Sequence, residues 1–463
     1  MMETDIQPEV VYFLGIGGIG MSAIARYYHA QGKAVMGYDR TRTALTTELE
    51  MEGMDVHYDD TVLEIPQLVK LTARDKVLVV YTPAIPEESS QLNWFMDNGF
   101  TMMKRSQVLG LITRQSKTIA VAGTHGKTTT SSMIAHLLTH AGFGCNAFLG
   151  GITSNYKTNL LLSQDPDAWT VVEADEYDRS FLTLSPTISV ITNVDADHLD
   201  IYGTHDEMLS GFNAFADKLL PGGHLLIRAG LPLQLDHWSD DRRHETYAMQ
   251  DEANHRGFNT RIAHEKFFMD YAYGSEVWES IELGLPGKHN AENAVAAIAV
   301  ARIVGLTEDQ IRDGLRTFRG VKRRFEFYIR RSDLVLIDDY AHHPEELFAC
   351  ITAVRQLFPE RHVTGVFQPH LFSRTRDFGD AFARSLELLD EIILLPIYPA
   401  REKPMPGIDS QWLLDKIQGR PKILVEKGDL LATLTQSPRE VVVMLGAGDI
   451  DALVPLVSHA YGE

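Results

Sequence analysis

The chain has 463 residues, 44% hydrophobic and 23% charged, which fits a globular protein of two to four domains. With 63 acidic against 43 basic residues its net charge is −20, which argues against nucleic acid as a main partner. Two cysteines exclude a disulfide framework, and no N-terminal leader pattern or run of transmembrane length is present, so a soluble, cytoplasmic monomer or weak homodimer is expected.

Val10–Leu14 reads as a buried strand followed by Gly15-Ile-Gly17-Gly18-Ile19-Gly20 and a helix from about Met21. The glycine spacing fits a dinucleotide fingerprint, and Asp39 ends the next strand 19 positions after Gly20, where a ribose-binding carboxylate would sit. NAD(P) is the obvious ligand. Physically, a glycine turn against a helix N-terminus accepts any diphosphate. The bland alternative, a tight turn needing glycine only for packing, is weaker with Asp39 present.

The central segment is organised around Gly123-Thr124-His125-Gly126-Lys127-Thr128-Thr129-Thr130, between an apolar strand, Thr118–Ala122, and a helical pattern carrying Ile134, Leu137, Leu138 and Ala141 on one face. Strand, turn and helix N-terminus make a phosphate cradle, with Lys127 expected on its exposed rim and the Thr128 hydroxyl suited to Mg²⁺. Acids cluster after the next two strands, at Glu173-Ala-Asp175-Glu176 and Asp195-Ala-Asp197-His198. Oxygen and imidazole donors there suit Mg²⁺ or Mn²⁺, although each acid taken singly reads as a solvated loop charge. Residues 224–285 alternate apolar and polar and are expected as antiparallel strands. Asn290 and Asn293 open an Ala-rich helix, where capping is the default reading.

Beyond a hinge at Gly320-Val-Lys-Arg323-Arg324-Phe, four strands are expected near 334–337, 362–367, 391–395 and 441–445. Asp338-Asp339-Tyr-Ala-His342-His343-Pro344 and His370-Leu-Phe-Ser-Arg374-Thr-Arg376 follow two of them and suggest an anion site.

These motifs, in this order, resemble the Mur ligases, ATP-dependent enzymes of cell-wall peptide synthesis that form an amide through an acyl phosphate. The resemblance spans essentially the whole chain. It implies a three-domain α/β fold: a Rossmann-like domain (1–114), a P-loop ATPase-like domain with a β-rich extension (115–321) and a second Rossmann-like domain (322–463). It also implies that UDP-N-acetylmuramate, not NAD, lies on Gly17, Gly18, Ile19, Gly20, Met21, Asp39 and Thr82. ATP would contact Gly123 through Thr129, Asn290, Asn293, Arg324 and Asp339, with Mg²⁺ (or Mn²⁺) on Thr128, Glu173 and His198. Asp175, Glu176 and Asp197 are rival ligands. The catalytic set would be Lys127, Glu173, His198, Arg324 and His343, with the amino acid on His343, His370 and Arg374 and domain closure excluding water.

Within the family, Gly15–Ser22 and Phe367–Asp377 most resemble the branch that adds L-alanine. Glu176-Tyr-Asp-Arg instead resembles the branch that recycles a murein tripeptide, and Leu371 stands where some alanine-adding members carry arginine. No candidate stands out for a carbamylated lysine. Rivals of other classes are an NAD(P) oxidoreductase and a non-catalytic nucleotide switch.

Overall fold

The computed structural model describes residues 7–195, 202, 204–235, 238, 241–264, 266–400 and 402–462. Its first sheet has five parallel strands in the order Asp55–His57, Ala34–Tyr38, Val10–Leu14, Val77–Tyr81, Thr101–Lys104. Apolar runs such as Val10–Leu14 are buried along their whole length, as expected for a sheet covered on both faces. The chain leaves Val10–Leu14 toward one edge and returns on its other side at Val77–Tyr81. The glycine turn therefore lies at the point where strand order reverses, outside the strand's carboxyl end.

A second sheet, of ten strands, includes the run Arg243–Met249, His224–Arg228, Ile188–Ile191, Thr118–Ala122, Trp169–Glu173, Cys145–Phe148, Leu160–Leu161, parallel except for the last pair. The expectation that residues 224–285 form only antiparallel strands is thus corrected: His224–Arg228 and Arg243–Met249 extend the parallel sheet. A partly exposed strand can alternate in sequence as an antiparallel one does, so alternation did not separate the two. Antiparallel pairing does join Lys266–Tyr273 to Glu276–Leu283, a hairpin turning at Gly274, where φ is +58°.

The third sheet runs Glu326–Arg330, Val335–Asp339, Val441–Leu445, Val363–Phe367, Glu391–Leu394, Lys422–Leu424. Only its first pair is antiparallel. Glu326–Arg330 and Lys422–Leu424 add to the four expected strands; both are short edge strands with charged residues, a weak signal in sequence.

By packing the chain divides into two compact units. One comprises Met1–Ile152, Tyr156–Arg256 and Ala296–Gly314, and the other Thr153–Asn155, Gly257–Val295 and Leu315–Glu463. The first sheet shares a unit with the phosphate loop partly because helix Arg105–Arg114 packs closely on Tyr177–Thr183. A methyl placed on Gly110 would lie 2.5 Å from Thr183 O, and Thr183 Oγ1 donates to Ser106 O at 2.8 Å.

Candidate functional site

Strand Thr118–Ala122 delivers the chain to Gly123 at the sheet's carboxyl edge. Gly123 (φ +135°) and Gly126 (φ +82°) both occupy the left-handed region, so the turn requires glycine at each. Gly126 caps helix Lys127–His140 without a side chain, leaving first-turn N–H groups to an anion. Asn193, which was not among the expected site residues, holds the loop from the neighbouring strand. Its Oδ1 accepts from His125 N at 2.9 Å and from Thr124 Oγ1. Only its place just after a strand marked it in the sequence.

Lys127 is not on an exposed rim, which corrects the sequence reading. Its side chain is 13% exposed, and Nζ donates to Gly123 O at 2.7 Å and pairs with Glu176 at 2.9 and 2.8 Å. Glu176 is fully buried, and its backbone carbonyl accepts from Tyr202 OH at 2.6 Å. Glu176 is therefore the lysine's counter-ion here, not a solvated acid. Burial pulls the Lys127 pKa down, but the Glu176 and Glu173 carboxylates outweigh it and the net shift is upward.

Glu173 ends its strand half-buried, and its Oε2 accepts from Gly150 N at 3.1 Å. A methyl on Gly150 would come within 2.2 Å of that oxygen, so glycine makes room for the carboxylate. Thr128 follows Lys127 in the first turn of the helix, and Thr129 is buried. The hard oxygen donors of Thr128 and Glu173 fit Mg²⁺. His198 and Asp197 lie outside the described residues. Asp175 is turned toward Arg105, at 3.3 Å.

In the first sheet's glycine turn, Gly17 N donates to Asp39 Oδ2 at 2.8 Å. Asp39, expected at a ribose, thus braces the turn itself, and a methyl on Gly17 would meet Thr46 Cγ2 at 2.5 Å. Gly18 differs: φ is −65° and a methyl there meets nothing closer than 3.5 Å. The helix starts at Ile19, two residues earlier than expected. Ile19 is exposed, Met21 is buried in the core, and Thr82 Cγ2 would lie 2.9 Å from a methyl on Gly15.

In the second unit, the hinge passes through Gly320 (φ +84°), Arg323 (+62°) and Phe325 (+54°). Asp339 fastens it, accepting from Phe325 N and Ala341 N at 2.8 Å each, so both its oxygens are already engaged with backbone. Burial raises the Asp339 pKa to about 6 against the pull of Arg324 and those N–H groups. Asn290 does not cap its helix, Lys288–Val304: it is buried within the first turn and donates to Pro286 O at 2.7 Å. Asn293, one turn on, is half-buried.

Asp338, fully buried beside Arg323 Nε at 3.5 Å, has its pKa raised to about 7 by burial, against the pull of Arg323 and with the Asp339 charge adding to the rise. A carboxyl whose folded pKa is raised stabilises the fold fully at pH below its unfolded value, and that contribution is lost as pH rises through about 7. Asp338→Asn should therefore gain stability relative to wild type as pH climbs from about 4 to about 7, by a few kcal/mol. Chemical denaturation across that range checks this; a difference independent of pH rejects it.

His343 precedes helix Pro344–Leu357; its N–H donates to Glu346 Oε2 at 3.3 Å and its ring lies 4.8 Å from that of Phe378. His370 stacks on Tyr398 with ring centroids 5.7 Å apart and lies 5.8 Å from His342. Burial, then the His342 and Arg374 charges, lower the His370 pKa to about 4, so its ring is neutral at pH 7. Arg374 and Arg376 both fall in helix Phe372–Leu386, where residues two apart point to opposite sides. Arg376 is exposed and bonded to Asp377 at 2.7 Å, whereas Arg374 has no carboxylate partner among the described residues. Arg324 lies 3.8 Å from Glu346 and 5.1 Å from the Tyr340 ring centroid. The structure thus gathers His342, His343, His370, Arg324 and Arg374 in one region of the second unit, with Glu346 and Glu402 among them. Leu371, ahead of that helix, has φ +68°, a costly conformation for leucine.

Residues 10–117 match the family described as "Mur ligase family, catalytic domain", 121–301 the "Mur ligase middle domain" and 323–450 "Mur ligase, glutamate ligase domain". A UDP-N-acetylmuramate–L-alanine ligase of Parabacteroides distasonis is 49% identical over 450 residues, 97% of this chain and 96% of the relative. One of Cytophaga hutchinsonii is also 49% identical, over 98% of both chains. Among solved structures, the UDP-N-acetylmuramate-alanine ligase of Thermotoga maritima superposes with TM-score 0.82 at 26% identity, covering 97% of this chain and 98% of that one. A murein peptide ligase of Psychrobacter arcticus shares the fold at TM-score 0.68 and 21% identity, over 98% and 99%. With three domain matches in sequence and near-half identity along its length, the chain belongs to the Mur ligase family.

Proposed function

We infer that the protein joins L-alanine to the lactyl carboxylate of UDP-N-acetylmuramate with cleavage of ATP to ADP and phosphate. The carrying observation is the near-half identity to L-alanine ligases over 97% of the chain, with a phosphate loop intact in geometry. The carboxylate attacks the γ-phosphorus, ADP leaves, and the acyl phosphate so formed is opened by the amine of alanine, which releases phosphate. A carboxylate is a poor acyl donor, and phosphorylation gives it a leaving group. The chief demand is to hold anions in line and neutralise growing charge.

Lys127 and the first-turn N–H groups supply that neutralisation. Accepting the nucleotide requires Lys127 to share or leave Glu176, so the buried pair holds the ammonium in place before the phosphates arrive. Glu173 and Thr128, with His198, would hold Mg²⁺, which when bound screens the phosphate oxygens. On the second unit, Arg374 would bind the acceptor's carboxylate and the neutral His370 would line its site. His343 stands beside the same region, while Arg324 and the Asn290–Asn293 turn would meet the nucleotide. Asp339 would act by keeping the hinge in shape. Gly17 to Gly20 would receive the UDP diphosphate. ADP release that requires both UDP-N-acetylmuramate and L-alanine tests the reading; ADP release indifferent to both would overturn it.

A further inference from the structure

We propose that Arg105 is a diphosphate-binding residue, held on Asp175 until the sugar nucleotide takes it over. The inference rests on reading Gly15–Gly20 as the UDP diphosphate loop. That loop has an electrostatic problem: one of its amides, Gly17 N, already serves the Asp39 carboxylate, which places a negative charge against the turn. A cation is needed close by. Around the loop's glycines the nearest side chains are those of Thr46, Thr82, Ile85, Met21, Asp39 and Arg105, and Arg105 alone is basic. A methyl placed on Gly20 would lie 3.0 Å from Arg105 Nη1 and 3.1 Å from its Cδ, so the guanidinium borders the first turn of helix Ile19–Ala30.

Arg105 is well anchored at its base and loosely held at its tip. It opens helix Arg105–Arg114, which Thr183 fixes through Ser106 O at 2.8 Å. Its guanidinium makes one 3.3 Å contact with Asp175, whose side chain is 40% exposed, and no other ion pair among the described residues. Such a half-solvated, single-contact pair is worth little, whereas a diphosphate offers two anionic groups in the fork geometry that arginine matches. Neighbouring Lys104 is already engaged with Asp178 at 2.9 Å. Exchange of Asp175 for diphosphate would free the carboxylate beside Glu176, the residue that pairs with Lys127.

The test is calorimetric titration of the full-length protein with UDP and with UDP-N-acetylmuramate. Arg105→Ala should weaken both about 10- to 100-fold with ATP affinity and thermal midpoint unchanged, and Arg105→Lys should restore part of the loss. Asp175→Asn should tighten both several-fold, because the arginine no longer has to leave a partner; an ion pair that merely braces the fold predicts the opposite sign. Unchanged UDP affinity in Arg105→Ala, or weaker binding in Asp175→Asn, overturns the proposal. So does a loss confined to UDP-N-acetylmuramate, which would place Arg105 on the lactyl carboxylate. Gly18→Val separates the levels, since its backbone accepts a side chain: if that variant keeps UDP affinity, the loop reading itself falls.

Discussion

Lys127→Ala should lose turnover roughly a thousandfold and, unlike a change on an exposed rim, should also lose stability. Removing the ammonium breaks a buried ion pair with the fully buried Glu176, a disruption that costs about 3–5 kcal/mol. The two effects separate in a double variant. Lys127→Met with Glu176→Gln removes both charges and should recover most of the stability while turnover stays lost. Urea denaturation and single-turnover ADP formation on both variants check this. A stable Lys127→Ala protein would deny the buried pair, and turnover restored in the double variant would deny the lysine its part in phosphoryl transfer.

Arg374→Ala should raise the half-saturating L-alanine concentration roughly 100-fold with kcat much less affected, because a charged, forked contact to a carboxylate is lost. Arg376→Ala, two residues along the same helix, should change it less than about twofold, since that guanidinium points away and is already bonded to Asp377. Initial rates against L-alanine for the two variants decide the matter. Equal effects, or a large effect at Arg376 alone, would move the acceptor carboxylate elsewhere.

Much of the fold was legible because local patterns and topology agreed. Val10–Leu14, Thr118–Ala122 and Val441–Leu445 are continuous apolar runs ending in turns, and each is a buried parallel strand. The phosphate loop was legible for a related reason: glycine positions that need positive φ leave a spacing that side-chain chemistry cannot imitate. What was hidden depends on contacts far apart in sequence. The Lys127–Glu176 pair spans 49 residues, and nothing in either neighbourhood separates a buried counter-ion from a solvated acid. Asn193 reaches Thr124 and His125 across adjacent strands, which required knowing that the two strands pair. Asp39 occupied its expected position yet braces Gly17, because fingerprint spacing gives a residue's place and not the direction of its carboxylate. At residues 224–249 the alternation of partly exposed strands concealed parallel pairing.

Whether the acceptor is a free amino acid is decided by competition. L-Alanine and the tripeptide L-Ala-γ-D-Glu-meso-diaminopimelate are offered together with limiting UDP-N-acetylmuramate and saturating ATP, and the products are separated by mass. Nearly all product should carry a single alanine, with one ADP formed per product. Preferential incorporation of the tripeptide would contradict it.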